Sequence, residues 1–259
     1  MQYNDRIVVG NASFNWIEIA SLPDYSINGE LYFAKALKDL YDVDQYIDVG
    51  GAVIGACGQS PLQIMDCSSV VIDTHGLPPE TDKIRTINGL VSPDHHQLDN
   101  IINGRNIFIK VDVDGNDLSV IKTLSTGLSY GDVDPHVLAL QFEYDFHWED
   151  KGITLNEAYE HLPYEHLYAI EHNGLKKIDY PLVQGDFNYR NIVCGNFDAD
   201  QVTQQMQKYS LINATTIDQP TESQLKMVDK VRWWHNNELR KGNTAKRRKN
   251  IYPHDTFGS

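Results

Sequence analysis

The sequence predicts an α/β protein: a doubly wound, mostly parallel sheet with a C-terminal antiparallel hairpin and a helical extension. Three observations carry the prediction. Short apolar runs alternate with segments of helical period. The early runs end in an aspartate or a glycine turn, as strand ends do in sheets that bind ligands. Two later runs flank Asn173-Gly174, a short hairpin signal.

Leu31, Ala34, Leu37 and Leu40 recur at helical spacing and give a first helix over residues 30 to 41. A strand follows from Gln45 to Val49 and runs into Asp48-Val49-Gly50-Gly51. The second run, Val70-Val71-Ile72, ends at Asp73, and a third spans Ile84 to Val91. About a dozen residues separate them, short for a helical crossover. The fourth run, Ile107 to Val113, contains Lys110 and Asp112 and is followed at once by Asp114. A helix opens near Asn116 with Leu118, Ile121 and Leu124 on one face and Gly127 as its C-cap. Val137 to Glu143 is the fifth strand. Thr154-Leu155-Asn156-Glu157 is a capping box that starts a short helix. Leu167 to Glu171 and Leu175 to Ile178 form the hairpin, and Arg190 to Cys194 the last strand. Leu225, Val228, Val231 and Trp234 stripe a long helix from about Thr221 to Arg240.

The organisation expected is an N-terminal extension over 1–29, an α/β domain over 30–197, a helical extension over 198–241 and a basic tail over 242–259. The chain has 259 residues, 41% of them hydrophobic, enough for a packed core. No run approaches the roughly 20 apolar residues that span a bilayer, and the first ten residues do not read as a secretory signal. Cys57, Cys67 and Cys194 form no close pair, which argues against a disulfide framework or zinc knuckle and for a cytoplasmic setting. A net charge of −14 makes nucleic acid a poor partner for the main body. Arg240, Lys241, Lys246, Arg247, Arg248 and Lys249 run without an intervening acid. They read as a solvated tail, or as a contact for a polyanion.

Three places carry candidate chemistry. Glycines in the Asp48 to Gly55 turn let the backbone bend sharply and approach a ligand, although tight strand-to-helix turns use glycine for packing too. Asp73, at the end of the second strand, suits the two hydroxyls of a ribose, or caps a turn. Asp112 and Asp114 stand on alternate residues of a strand end and point the same way. Two like charges held together serve a ligand, a metal or a proton transfer. The spacing is not that of a calcium loop. His95, His96, His161, His166 and His172 match no metal-ligand spacing and read as surface or structural.

The segment from Ile109 to Ile121 resembles the signature of FkbM-type methyltransferases, with Lys110, Asp112, Asp114, Gly115 and Asp117 on its pattern. Asp48-Val49-Gly50 resembles that family's first motif and Asn88 to Ser92 its third-strand segment. Gln97 to Ile102, Leu140 to Glu143, Tyr164 to Leu175 and Arg190 to Asn196 fall in the same order as its remaining elements. The resemblance covers about residues 30 to 197. It implies a Rossmann-like class I methyltransferase fold, S-adenosyl-L-methionine as cofactor, and methylation of a hydroxyl on a sugar, glycan or small-molecule acceptor. It also implies cofactor contacts from Asp48, Gly50, Gly51, Gly55, Asp73, Ser92 and Asp112. Asp112 and Asp114 would lie between cofactor and acceptor, with Glu143 and His147 as further candidates for the base. A strand-end glutamate can equally cap, and a lone histidine can equally be structural.

Two other readings stand beside this one. A glycosyltransferase would use Asp112 and Asp114 to chelate a divalent ion on a nucleotide sugar's diphosphate. A non-catalytic binding module on a decayed methyltransferase fold would respond to neither cofactor.

Overall fold

The computed structural model describes residues 6–9, 12–15, 29–50, 60–74, 77–89, 101–113, 115–129, 137–144, 146–181 and 190–216. Strands β1 (Arg6–Val9) and β2 (Ala12–Asn15) pair with each other as a separate antiparallel ladder. Helix α1 (Glu30–Tyr41) then leads into β3 (Gln45–Val49), α2 (Ser60–Met65), β4 (Ser68–Asp73) and β5 (Ile84–Asn88). After them come β6 (Ile107–Val111), α3 (Asp117–Ser129), β7 (Val137–Tyr144), α4 (Phe146–Asp150) and α5 (Leu155–His161). The hairpin β8 (Leu167–Glu171) and β9 (Gly174–Ile178), then β10 (Arg190–Gly195) and α6 (Ala199–Thr216), complete the described chain.

Eight strands form one sheet in the order β5-β4-β3-β6-β7-β10-β8-β9. The first five pair in parallel, and β10 enters antiparallel between β7 and β8. The α/β class and the mainly parallel core are therefore as the sequence predicts. The order reverses direction at β3, whose neighbours are β4 and β6. Such a switch point opens a crevice at the carboxyl ends of the strands.

Alternation along the strands sorts side chains onto two faces. Tyr46, Val71, Phe108, Ala139 and Val193 pack against Leu31, Phe33 and Leu37 of α1 and Val202, Met206 and Tyr209 of α6. Ile47, Val49, Ile109, Val111, Leu140 and Phe142 face the other way, onto Leu118, Ile121 and Leu124 of α3, Trp148 of α4 and Leu155 and Ala158 of α5. Each face buries an apolar layer, as a sheet covered by helices on both sides requires. No helix among the described residues is long and apolar enough to cross a membrane.

Several sequence expectations change. Helix α3 runs to Ser129, so Gly127 lies inside it rather than capping it. The hairpin turns on His172-Asn173, because Gly174 already pairs with Glu171. Strand β5 stops at Asn88, and residues 77–83 before it hold no helix. Helix α6 lies inside the span given to the helical extension, 198–241, where the apolar pattern assigned a helix only from Thr221 to Arg240. Its signal is a cap: Asp198 Oδ1 accepts the amides of Asp200 and Gln201, both at 3.0 Å, and Gln201 Nε2 returns to Asp198 Oδ2 at 3.1 Å. The expected helix over 221 to 240 and the basic tail lie outside the described residues, as does most of Gln97 to Ile102.

Candidate functional site at the carboxyl ends of the central strands

Register places a row of polar side chains across the sheet. Asp48 of β3 stands opposite Lys110 of β6, and Lys110 stands opposite Gln141 of β7. All three lie two residues beyond Tyr46, Phe108 and Ala139, so they share the face covered by α1. Asp112 continues the same face of β6. Glu143 continues that of β7, level with Asp112, because Val111 pairs with Phe142. Asp73 ends β4 on this side too, two residues past Val71, and is half-buried. Asp48, Asp73 and Asp112 therefore gather at one edge of three adjacent strands.

Helix α1 adds an acid that the sequence reading did not single out. Glu30, in its first turn, accepts from Lys110 Nζ at 3.1 Å and from Gln141 Nε2 at 2.7 Å, both on Oε1. Lys110 Nζ also bonds to Asp112 Oδ2 at 3.0 Å. Gln141 Nε2 reaches Asn191 Oδ1 of β10 at 3.1 Å. The only sequence signal for Glu30 is an acid at a helix start, which favours the helix dipole anywhere. Its meeting with Lys110 is a matter of tertiary placement.

Asp48 is 2% exposed, and its Oδ1 has no hydrogen-bond donor among the described residues. Burial pushes its carboxyl up to about 7; Lys110 opposes the rise and Asp112 adds to it. Burial works against the Lys110 charge, but Glu30, Asp112 and Asp48 outweigh it and hold the ammonium well above its usual range. Burial, reinforced by Asp48, raises the Tyr46 hydroxyl as well.

The turn after β3 is tightly built. Gly50 has φ +86°, its amide donates to Ile72 O at 2.8 Å, and Asp112 N donates to Val49 O at 2.8 Å. A Cβ on Gly50 would stand 1.8 Å from the Asp112 carbonyl oxygen. The packing role of this glycine is thus to let β3 and β6 close on each other. The turn after β6 is held by Asp117, whose carboxylate accepts Val113 N at 3.4 Å and Gly115 N at 3.1 Å. Lys151 clamps the same turn through Gly115 O at 2.6 Å and Asn116 Oδ1 at 3.0 Å.

Of the expected site residues, Asp48, Gly50, Asp73, Asp112 and Glu143 come together at this edge. His147 lies on α4, with its Cβ against the Gly115 turn, where a Cβ on Gly115 would approach it to 2.4 Å. Gly51, Gly55, Ser92 and Asp114 lie outside the described residues, so the metal reading, which needs Asp114, does too. An open cleft lined by Lys38, Leu62, Asp66, Cys67 and Lys83 sits at the amino ends of β4 and β5, away from the switch point. Burial raises its Cys67 thiol to about 11, which leaves it protonated at neutral pH.

No protein-family model matches the chain, and no curated protein matches it. Solved structures do. A precorrin-6y C5,15-methyltransferase from Geobacter metallireducens GS-15 is 10% identical with a TM-score of 0.34, over 64% of this chain and 86% of that one. Cofactor-bound Rv0187 from MTB is 10% identical with a TM-score of 0.34, over 71% of this chain and 87% of that one. At this distance neither likeness decides a ligand or a reaction.

Proposed function

We propose that the chain is an S-adenosylmethionine-dependent methyltransferase that methylates a hydroxyl oxygen of a sugar, glycan or small molecule. The observation that carries the reading is the excess of acid at the switch point, with Asp48 buried, Glu30 largely so and Asp112 at the edge. Three carboxylates, Glu30, Asp48 and Asp112, surround one ammonium, Lys110, and Asp48 Oδ1 lacks a donor among the described residues. Buried like charges are costly without a partner, so the cluster favours a cationic ligand. S-adenosylmethionine carries a sulfonium and an amino group and fits that requirement. The acceptor class follows from the resemblance of the Lys110 to Asp117 segment to FkbM-type enzymes.

In this reading Asp48 and Asp112 hold the amino-acid end of the cofactor, Gly50 gives its turn, and Asp73 takes the ribose hydroxyls. Gly51, Gly55 and Ser92, and Asp114 as the residue for the acceptor, belong to the same proposal on sequence grounds. The cofactor supplies an electrophilic methyl group on its sulfonium. Glu143, level with Asp112 on the same face, accepts the proton of the attacking hydroxyl, with His147 at the rim as the other candidate base. Much of the acceleration comes from holding the acceptor oxygen in line and excluding water.

Thermal shift and calorimetric titration with S-adenosylhomocysteine test the reading. A ligand at a hundred times its Kd stabilises by about 2.7 kcal/mol, a readily measured shift. No response to it, together with a response to a nucleoside diphosphate plus manganese, would move the protein to the glycosyltransferases.

A further inference from the structure

We propose that Glu30 is a positioning residue: it holds Lys110 away from Asp48, so that Asp48 Oδ1 keeps no donor among the described residues and stays open to a cationic ligand. This rests on the methyltransferase reading only for the identity of that ligand.

Lys110 and Asp48 are opposite each other on adjacent strands and on one face. Neighbouring strands lie about 4.8 Å apart, well within reach of a lysine stem. A Lys110–Asp48 pair would satisfy the buried carboxylate, and an unsatisfied buried acid is costly. The ammonium instead rests 3.1 Å from Glu30 and 3.0 Å from Asp112. Gln141, the next residue along the row, donates to the same Glu30 oxygen at 2.7 Å and is itself bonded to Asn191. Glu30 is only 13% exposed, as is Lys110, so neither pair is a loose surface contact.

The start of α1 is also fixed from behind. Gly29 has φ +62°, and a Cβ there would stand 2.0 Å from the Glu171 carbonyl oxygen. The helix thus begins pressed against the end of β8, which sets Glu30 above the Lys110–Gln141 pair. Elements from α1, β6, β7 and β10 all contribute to holding the lysine off Asp48.

The charged and titratable groups acting on Asp48 are Lys110 and Asp112 from β6, Tyr46 from its own strand, and Glu30 from α1. Neutralising Glu30 acts on Asp48 twice in one direction. It removes a repelling acid and releases Lys110 to move across.

Glu30→Gln tests this in the ligand-free protein and with S-adenosylhomocysteine. Carboxyl carbon NMR should place the wild-type Asp48 midpoint at about 7. In the variant the midpoint should fall by at least about one unit. Affinity for S-adenosylhomocysteine should weaken by about tenfold or more while Tm is unchanged or higher. Glu30→Asp, which keeps the charge but withdraws it by one methylene, should fall between the two in midpoint and affinity, and serves if Glu30→Gln does not fold. An unchanged midpoint overturns the proposal. So does weaker binding accompanied by a lower Tm, the mark of a purely structural glutamate. A wild type that fails to bind S-adenosylhomocysteine refutes the methyltransferase reading, and the midpoint shift alone then decides the role of Glu30.

Discussion

Asp48 and Lys110 are register partners on adjacent parallel strands, yet the ammonium of Lys110 bonds to Glu30 and Asp112. The pair that sequence alignment of the two strands would suggest is not the pair that forms. A nearly inaccessible carboxyl is left with a pKa near neutrality at the point where the strand order reverses.

That carboxyl should appear in the pH dependence of stability. Asp48 is raised from its ordinary value to about 7 in the folded chain. The unfolded chain loses the proton near pH 4, while the folded chain keeps it until about 7. Stability from this group is therefore complete below about pH 4 and is lost as pH rises through 7. The loss is on the order of 4 kcal/mol, since the rise spans about three units and one unit corresponds to about 1.4 kcal/mol. Asp48→Asn should remove that slope and be the more stable protein at pH 8, while binding S-adenosylhomocysteine at least tenfold more weakly. Urea melts of both proteins at pH 4.5, 6 and 8 give the answer. Parallel stability profiles would show that Asp48 titrates normally.

Gly50→Ala should be strongly destabilising. Its φ of +86° disfavours a side chain, and the Cβ would collide with the Asp112 backbone at 1.8 Å. The conformational part alone costs about 1–3 kcal/mol. Gly89→Ala is the control, because no described residue lies within 4 Å of a Cβ there, and it should stay within about 0.5 kcal/mol of wild type. Chemical denaturation of the two variants should separate them clearly; equal losses would mean that the contact between Gly50 and Asp112 does not constrain the turn.

The elements that sequence predicts best are those where one residue type decides. Gln45 to Val49 and the helix over 30 to 41 are found at the expected bounds, although Leu40 of the helical stripe is exposed and the strand buries Gln45 and Asp48 along with its apolar residues. The Thr154 capping box forms with both of its hydrogen bonds. Within the helical extension expected over 198–241, the apolar pattern did not mark α6 itself, because its core contacts, Val202, Met206 and Tyr209, are separated by glutamines, and its start depends on Asp198. Within the site, the strand-end positions of Asp48, Asp73 and Asp112 follow from pattern alone. Glu30 and Gln141 do not, since their role comes from which strands become neighbours, and no local signal encodes that.

Asp117 should prove a structural residue, although it falls within the motif. It is buried, and its carboxylate receives two amides of the turn that carries Asp112 into α3. Asp117→Ala leaves those amides without their acceptor, at a cost of about 1–3 kcal/mol. Hydrogen exchange at Val113 and Gly115 should accelerate in the variant. Unchanged protection at both amides would show that the turn is held by Lys151 and packing instead.

The last prediction separates binding from proton transfer. Asp112 bonds to Lys110 and is 37% exposed, so it stands at the edge of the crevice with one side-chain partner among the described residues. Losing a charge-assisted hydrogen bond costs about 1.5–3 kcal/mol, so Asp112→Asn should weaken S-adenosylhomocysteine binding roughly ten- to a hundredfold. Glu143 lies level with it but one strand further from β3 and the glycine turn. Glu143→Gln should therefore leave that affinity near wild type and lower methyl transfer by about a hundredfold or more, the scale of a lost general base. His147→Asn distinguishes the two candidates. If the imidazole is the base, this variant carries the rate loss instead of Glu143→Gln. Titrating all three variants with S-adenosylhomocysteine, then assaying labelled methyl transfer to a panel of hydroxylated sugars, gives both readouts. A Glu143→Gln variant that loses cofactor affinity as severely as Asp112→Asn would place Glu143 in the cofactor site and leave proton transfer to His147 or Asp114.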